Sequence, residues 1–143
     1  MKLINALSEK NKLARNIKDI QERINQYNSY IAGNTPVYNI NDQLVQLQKS
    51  IDDIVSIKSQ ISRANLEHIE SIYRLSELKS LCSFLKKLKI KEGKVKEENY
   101  SADVNEWECE ISNVERDKIV LELQAEIDLI QMKMDRFNFE QEI

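Results

Sequence analysis

Residues 3–31 carry an apolar seam that restricts this chain to a helical fold. The seam is read at alternating steps of three and four residues, and its positions are Leu3, Ala6, Lys10, Leu13, Ile17, Ile20, Ile24, Tyr27 and Ile31. Only Lys10 is not apolar. This spacing keeps one stripe on the same side of a helix over about four heptads, as in coiled-coil packing. We predict a helix over residues 2–31, ended by Gly33 in the left-handed conformation and kept from resuming by Pro36.

A second seam begins directly after this turn. Its positions are Ile40, Leu44, Leu47, Ile51, Ile54, Lys58, Ile61 and Asn65. Asn39 and Asn41 are both available as the N-cap of the second helix. Because the connection between the two helices is short, we predict that they fold back on each other as an antiparallel hairpin over residues 1–65.

A third helix is predicted from about residue 72 to 88, within the segment 66–90. Its apolar face is broader than a seam, as is typical of a bundle helix that is contacted on two sides, and consists of Leu75, Leu78, Leu81, Cys82, Leu85 and Leu88. We expect Cys82 to be a small buried apolar residue. Two glycines and one proline in 143 residues also favour long helices with few turns.

The hydrophobic period changes from helical to alternating in the connector over residues 91–111. Glu106, Glu108 and Glu110 alternate with Trp107, Cys109 and Ile111. Alternation predicts a short, half-buried strand over residues 104–111. A lone strand is unstable, so its partner is either the lysine-rich connector, where Ile90 and Val95 are available, or another chain.

The last helix is predicted from about residue 113 to 137, within the segment 112–143. Ser112 and Glu115 fit a capping box, and Asn113 is an alternative cap. The seam of this helix is Val120, Leu123, Ile127, Ile130, Met134 and Phe137. The predicted fold is thus mainly α: a single domain over residues 1–143, built as a long antiparallel helical hairpin in a coiled-coil-like bundle of about four helices, with a short β segment before the last helix.

The charge distribution predicts how the helices pair. Residues 1–65 have nine basic and six acidic side chains, whereas residues 103–143 have four and twelve. We expect the acidic last helix to lie beside the basic first helix, in the same chain or in a neighbour, because opposite flanking charges set partner choice. The third helix is too short to cover the long seams, so we predict a homo-oligomer. The helix and oligomer seam residues are Leu13, Ile17, Ile20, Ile24, Leu44, Leu47, Ile51, Ile54, Leu123, Ile127, Ile130 and Met134.

Several function classes are disfavoured by the residue inventory. His68 is the only histidine, there is no glycine-rich phosphate loop, and alternating glutamates are typical of a solvated strand face. We expect no catalytic residue, no cofactor and no metal site. The lysines between Lys86 and Lys96 are interleaved with acidic residues, which disfavours a nucleic-acid partner.

A cytoplasmic assembly or protein-interaction protein, non-enzymatic and with an unidentified protein partner possible, is the prediction that remains. The N-terminus has no signal-like apolar region, and no apolar run reaches the roughly 20 residues of a membrane span. The alternative is a membrane-active protein that acts through amphipathic helices. The narrow seam of the first helix, without Trp or Phe, disfavours it.

Several short segments resemble a family of small bacterial proteins often labelled septicolysin-like. They are Met1-Lys2-Leu3 with Ala6-Leu7, the turn at Gly33–Pro36, Ile61-Ser62-Arg63-Ala64-Asn65, Asn138-Phe139 and Glu142-Ile143. The chain departs from the family at Glu70-Ser71, where a glycine is usual, and at Leu75-Ser76-Glu77-Leu78-Lys79, which lacks an Arg-Asp pair.

The resemblance covers nearly the whole chain. It implies a long-helix fold with a short extended segment before the last helix, and it assigns no catalytic residue. At two of the resembling segments, Asn65 and Asn138 are interpreted as residues that end helices in the left-handed conformation.

Overall fold

The computed structural model describes residues 1–96 and 104–143. Within them the protein is mainly helical with a two-stranded sheet before the last helix, which confirms the predicted class. The elements are α1 (Leu3–Tyr27), α2 (Ile40–Asn65), a 3-10 turn (Leu66–His68), α3 (Ile69–Lys86), β1 (Gly93–Lys96), β2 (Val104–Trp107) and α4 (Asn113–Glu140). They fold into two compact units, residues 1–68 with 136–143 and residues 69–135. The single domain over residues 1–143 stays a prediction.

Helices α1 and α2 form the hairpin of the first unit. Near the turn, Arg23 donates a hydrogen bond to Gln43 (2.9 Å), and farther along Asn16 donates to Ser50 (3.3 Å). At the opposite end, the buried side chains of Leu3, Ala6, Ile57 and Ile61 form one core cluster. Residue numbers that rise on one helix fall on the other, so the two helices are antiparallel.

Helix α1 ends at Tyr27, four residues before the predicted end at Ile31. The backbone N–H of Asn28 still bonds to Ile24 (3.0 Å), but Asn28 and Ser29 then favour turn conformations over a further helical turn. Gly33 has φ +90°, as predicted for a left-handed glycine. However, it lies inside the connecting loop and does not cap the helix. Ile31 is consequently outside the seam and is 75% exposed.

Helix α2 covers the whole predicted seam from Ile40 to Asn65, and its N-terminus is capped by a side chain. Asn39 Oδ1 accepts a hydrogen bond from the backbone N–H of Asp42 (3.2 Å), which selects Asn39 over Asn41. Asn65 is the last residue of α2, as interpreted, but the left-handed conformation expected at Asn65 and Asn138 is wrong, because in the described part of the chain only glycines have a positive φ. The chain continues from Asn65 through right-handed Leu66 (φ −55°), and Asn138 lies within α4.

The two ends of the chain complete the core of the first unit. Leu3 N–H donates to Gln141 (2.8 Å), Ile143 N–H donates to Met1 (3.0 Å), and Phe137 and Ile143 pack on the core cluster. Glu142 accepts from the Met1 ammonium (3.1 Å) and the Lys2 ammonium (3.2 Å), and these two hydrogen bonds hold the pKa of the Glu142 carboxyl below its ordinary value. These contacts join only the terminal residues of the chain, and the packing of the acidic last helix beside the basic first helix stays a prediction.

The second unit contains α3, the sheet and residues 113–135 of α4. Its core is formed by Leu78, Cys82 and Ile127, which confirms that Cys82 is a buried apolar residue. Arg74 Nε donates to Glu126 (2.8 Å) at the edge of this helix pair. Helix α3 begins at Ile69 and ends at Lys86, about three residues earlier than predicted at its start and two at its end.

The predicted strand pairs with the lysine-rich connector of the same chain. β1 and β2 are antiparallel, with Gly93 opposite Trp107 and Val95 opposite Asn105. The strand begins at Val104 as predicted but ends at Trp107, because its partner strand begins at Gly93 and leaves Glu108–Ile111 without a ladder. Residues 97–103 of the predicted connector lie outside the described residues.

Candidate functional site

The predicted seam residues of α1 and α2 lie mainly along the hairpin. Ile20 is 3% exposed, and Leu44 and Ile51 are 45% and 41% exposed. The half-buried members are Leu13, Ile17, Ile24, Leu47 and Ile54. The packing of the two helices thus covers most of this seam, and its exposed remainder is a short flank of α2.

The predicted seam of α4 is likewise covered within the chain. Ile127 and Met134 are 4% and 6% exposed, and Leu123 and Ile130 pack on the second core. A face that is already covered within the chain offers little surface to another copy. If the protein assembles, the contact has to use other residues.

Helix α4 carries a second set of apolar residues on its opposite face. Val114, Leu121, Leu129 and Met132 are 79%, 71%, 67% and 66% exposed. Leu121 and Met132 lie about half a helical turn away from the buried Ile127, given 3.6 residues per turn. We define the outer face of α4 as Val114, Lys118, Leu121, Ala125, Asp128 and Met132, all of which are exposed.

Sequence reasoning missed this outer face, although the signal is present. Its members follow the same alternation of three and four residues as the buried seam. The other stripe of α4 is the more continuous one, because Val120, Leu123, Ile127, Ile130, Met134 and Phe137 are all apolar, whereas Lys118 and Asp128 interrupt the outer face. A helix that is apolar on two opposite sides packs on two sides when its partners are present.

Helix α3 shares this two-sided character. Tyr73 and Phe84 are 66% and 61% exposed, and Ile69 is 41% exposed, whereas Leu78 and Cys82 are buried on the other side. The two positions that lie between Tyr73 and Phe84 on this side of the helix are occupied by Glu77 and Ser80. Neither is apolar. The apolar stripe is therefore less continuous on α3 than on α4.

The residues weighed for catalysis occur in both units of the chain. His68 is half-buried with its ring 3.9 Å from that of Phe137, both in the first unit. Glu106, Glu108 and Glu110 are exposed, whereas Trp107, Cys109 and Ile111 are half-buried. The alternation predicted for this segment is thus present in its burial, and it continues beyond the end of β2.

The thiol of Cys109 is tied to a carboxylate. Its Sγ donates a hydrogen bond to Glu92 Oε1 at 3.1 Å, and Asn113 donates to the other oxygen at 3.4 Å. The hydrogen bond to Glu92 is the main cause that raises the pKa of the Cys109 thiol, with desolvation and the Glu92 charge adding to it. A protonated thiol is a poor nucleophile. Lys91 lies 4.4 Å from the Trp107 ring beside it, in a cation–π contact.

No model of a known protein family, no curated protein and no solved structure matches this chain. None of the helices within the described residues is long and apolar enough to cross a membrane. In residues 1–96 and 104–143, no three His, Cys, Asp or Glu side chains are grouped so that they could hold a metal ion.

Proposed function

We propose that this protein is a non-enzymatic helical assembly protein whose outer face of α4 packs against the same face of a second copy. The observation that carries the proposal is the exposed apolar stripe of Val114, Leu121 and Met132 on a helix whose opposite side is already buried. Exposed apolar patches of this regularity are typical of protein contacts. The coiled-coil-like bundle of about four helices belongs to the same proposal.

The outer face is complementary to itself when two copies of α4 run antiparallel. With the two-fold axis at residue 123, Val114 lies opposite Met132 and Leu121 lies opposite Ala125. Lys118 then lies opposite Asp128, so each copy supplies one half of two ion pairs. In such a two-fold contact both copies use the same surface, so the assembly is complete as a dimer.

Charge complementarity favours the antiparallel arrangement of two copies over the parallel one. In a parallel pair each Lys118 would face Lys118 and each Asp128 would face Asp128, which is unfavourable. The apolar layers of the antiparallel pair also alternate large with small, because Ala125 leaves room for Leu121. In the single chain Asp128 accepts from Gln124 (2.9 Å), and it can keep this bond while it faces a lysine.

The mass in solution, measured by light scattering, tests the contact. We expect a dimer for the wild type and a monomer for Leu121→Glu and Met132→Glu, because a buried charge in an apolar layer is unfavourable. Val45→Glu is the matched control: Val45 is 64% exposed on α2 and lies outside the outer face. A monomeric wild type, or variants that remain dimeric, would contradict the proposal.

A charge exchange tests the register. Lys118→Asp and Asp128→Lys should each weaken the dimer, because each creates two like-charge pairs. The double variant should restore it, since the pairs are re-formed with opposite polarity. A parallel pair or a contact elsewhere predicts no such restoration. Circular dichroism at equal concentration checks that all three variants retain their helix content.

The membrane-active alternative needs an apolar helix face that is free to meet lipid. In α1 the stripe opposite the basic residues is engaged with α2, as the burial of Ile20, Leu3 and Ala6 indicates. Among the large apolar residues of α1 only Ile4 is exposed, at 45%. We therefore propose assembly as the function. The resemblance to the septicolysin-like family supports only a proposal of common ancestry.

A further inference from the structure

The loop that joins α1 to α2 differs in composition from the rest of the chain. Residues 24–41 contain no charged side chain, although 31% of all residues are charged. The same stretch holds three of the five tyrosines, Tyr27, Tyr30 and Tyr38. Antiparallel helices need only two to five connecting residues, whereas this connection runs from residue 28 to 39. We define the hairpin tip as residues 24–41.

The aromatic rings of the hairpin tip are held in place. The rings of Tyr27 and Tyr38 meet edge to face with centroids 5.1 Å apart. The Arg23 guanidinium lies 5.2 Å from the Tyr38 ring centroid and donates to Gln43 (2.9 Å), so it is engaged on both sides. A recognition surface whose rings are already ordered loses less conformational entropy when it binds.

A surface cavity of about 450 Å³ opens at the hairpin tip. Its lining combines aromatic rings with amide side chains and consists of Tyr27, Asn28, Tyr30, Pro36, Tyr38, Asn39, Ile40 and Asn41. Tyr30 is 58% exposed, so its ring is available to a ligand. The volume is in the range of small-ligand sites.

The hydrogen-bonding capacity of this lining is largely unused. The side-chain oxygen of Asn39 accepts the hydrogen bond that caps α2. Within the described residues, no protein group forms a hydrogen bond to the side chains of Asn28 and Asn41 or to the hydroxyls of Tyr30 and Tyr38. Each free asparagine offers two donors and an acceptor that accepts twice. The site therefore suits a ligand with several closely spaced hydroxyl or amide groups.

The charge of the ligand is restricted as well. No acidic or basic side chain lines the cavity, and the Arg23 guanidinium beside Tyr38 is engaged with Tyr38 and Gln43. An anionic or cationic ligand would lose hydration there without gaining an ion pair. A sugar ring combines flat apolar faces, which can stack on the tyrosine rings, with many neutral hydroxyls, which can form hydrogen bonds to the asparagine side chains. We propose that the hairpin tip binds a neutral saccharide.

Ligand-observed NMR and calorimetry on the full chain test this site. The probes are maltotriose, cellotriose, mannotriose and triacetylchitotriose. We expect saturable binding to at least one of them with a Kd of about 1 mM or tighter. Tyr30→Ala and Asn41→Ala, both at exposed positions, should weaken that binding about tenfold or more, which corresponds to the loss of roughly 1.4 kcal/mol.

Tyr73→Ala is the matched control, because Tyr73 is an exposed tyrosine (66%) of the second unit. It should bind as the wild type does. The proposal is overturned if none of the four sugars binds at roughly ten times that concentration, or if Tyr30→Ala and Asn41→Ala bind like the wild type. Tip-dependent co-sedimentation with phosphatidylcholine vesicles, without sugar binding, would assign the tip to a membrane surface instead. The outcome is independent of the dimer contact on α4.

Discussion

Single residues in this chain are constrained by one or two polar partners that lie far away in the sequence. Cys109 and Glu92 illustrate this. The thiol donates to the Glu92 carboxylate at 3.1 Å, and Cys109 also lines a surface cavity of about 390 Å³ together with Leu88 and Trp107. The sequence predicted that Cys109 lies on the apolar side of a strand, but Glu92 could not be predicted as its partner, because that contact depends on the register of β1 against β2.

We expect the Cys109 thiol to react slowly with iodoacetamide at neutral pH. Its pKa is raised, mainly by the hydrogen bond to Glu92, so at a given pH a smaller fraction of this thiol is ionised than of an ordinary cysteine. Glu92→Gln removes the negative charge and should shift the midpoint of the pH–rate profile to lower pH. The measurement is made in a Cys82→Ser background, with Glu108→Gln as control. Coinciding profiles for the Glu92 variant and its parent would contradict this account.

Individual helices and strands were predictable to the extent that their ends carry local signals. Helix α2 begins where Asn39 caps it, and α4 begins where Ser112 accepts from the backbone N–H of Glu115 (3.1 Å). The end of α1 was misplaced because Gly33 is a stronger sequence signal than Asn28, although the helix had already ended. Strand β2 was predicted too long because its length is set by its partner.

Removal of the α2 cap should cost stability. In Asn39→Ala the backbone N–H of Asp42 loses its acceptor, and a lost N-cap costs about 0.5–2 kcal/mol. We expect the urea midpoint to fall accordingly, with little change for Asn39→Asp, which keeps an acceptor oxygen. Asn41→Ala serves as the comparison, because it lies within the first turn and caps nothing. A midpoint for Asn39→Ala equal to that of Asn41→Ala would show that the cap contributes no stability.

At the scale of the whole molecule, the candidate site was harder to predict than the fold. Periodicity alone located the buried stripes, including Ile20 and Ile127. However, it did not reveal the outer face of α4, because the predicted seam already accounted for the helical spacing of that helix. The hairpin tip was seen only as a turn at Gly33 and Pro36. Its cavity depends on how Tyr27 and Tyr38 meet across the loop, and no local pattern encodes that meeting.

A dimer that forms through α4 links stability to protein concentration. Only the folded chain presents the outer face, so association stabilises the folded state by mass action. We expect the thermal midpoint of the wild type to rise over a hundredfold concentration range, by about a few degrees. In Leu121→Glu the midpoint should be independent of concentration. Wild-type midpoints that coincide at all concentrations would exclude a dimer of useful affinity.

The uncharged composition of the hairpin tip has a consequence for proteases. No lysine or arginine occurs between Arg23 and Lys49, so trypsin has no cleavage site in the loop. Tyr30 and Tyr38, in contrast, are exposed aromatic residues in a non-helical segment, where chymotrypsin cuts readily. Cleavage by chymotrypsin therefore reports whether the tip is accessible, whereas trypsin leaves the loop intact in either case, and a bound molecule would protect these two tyrosines from cleavage.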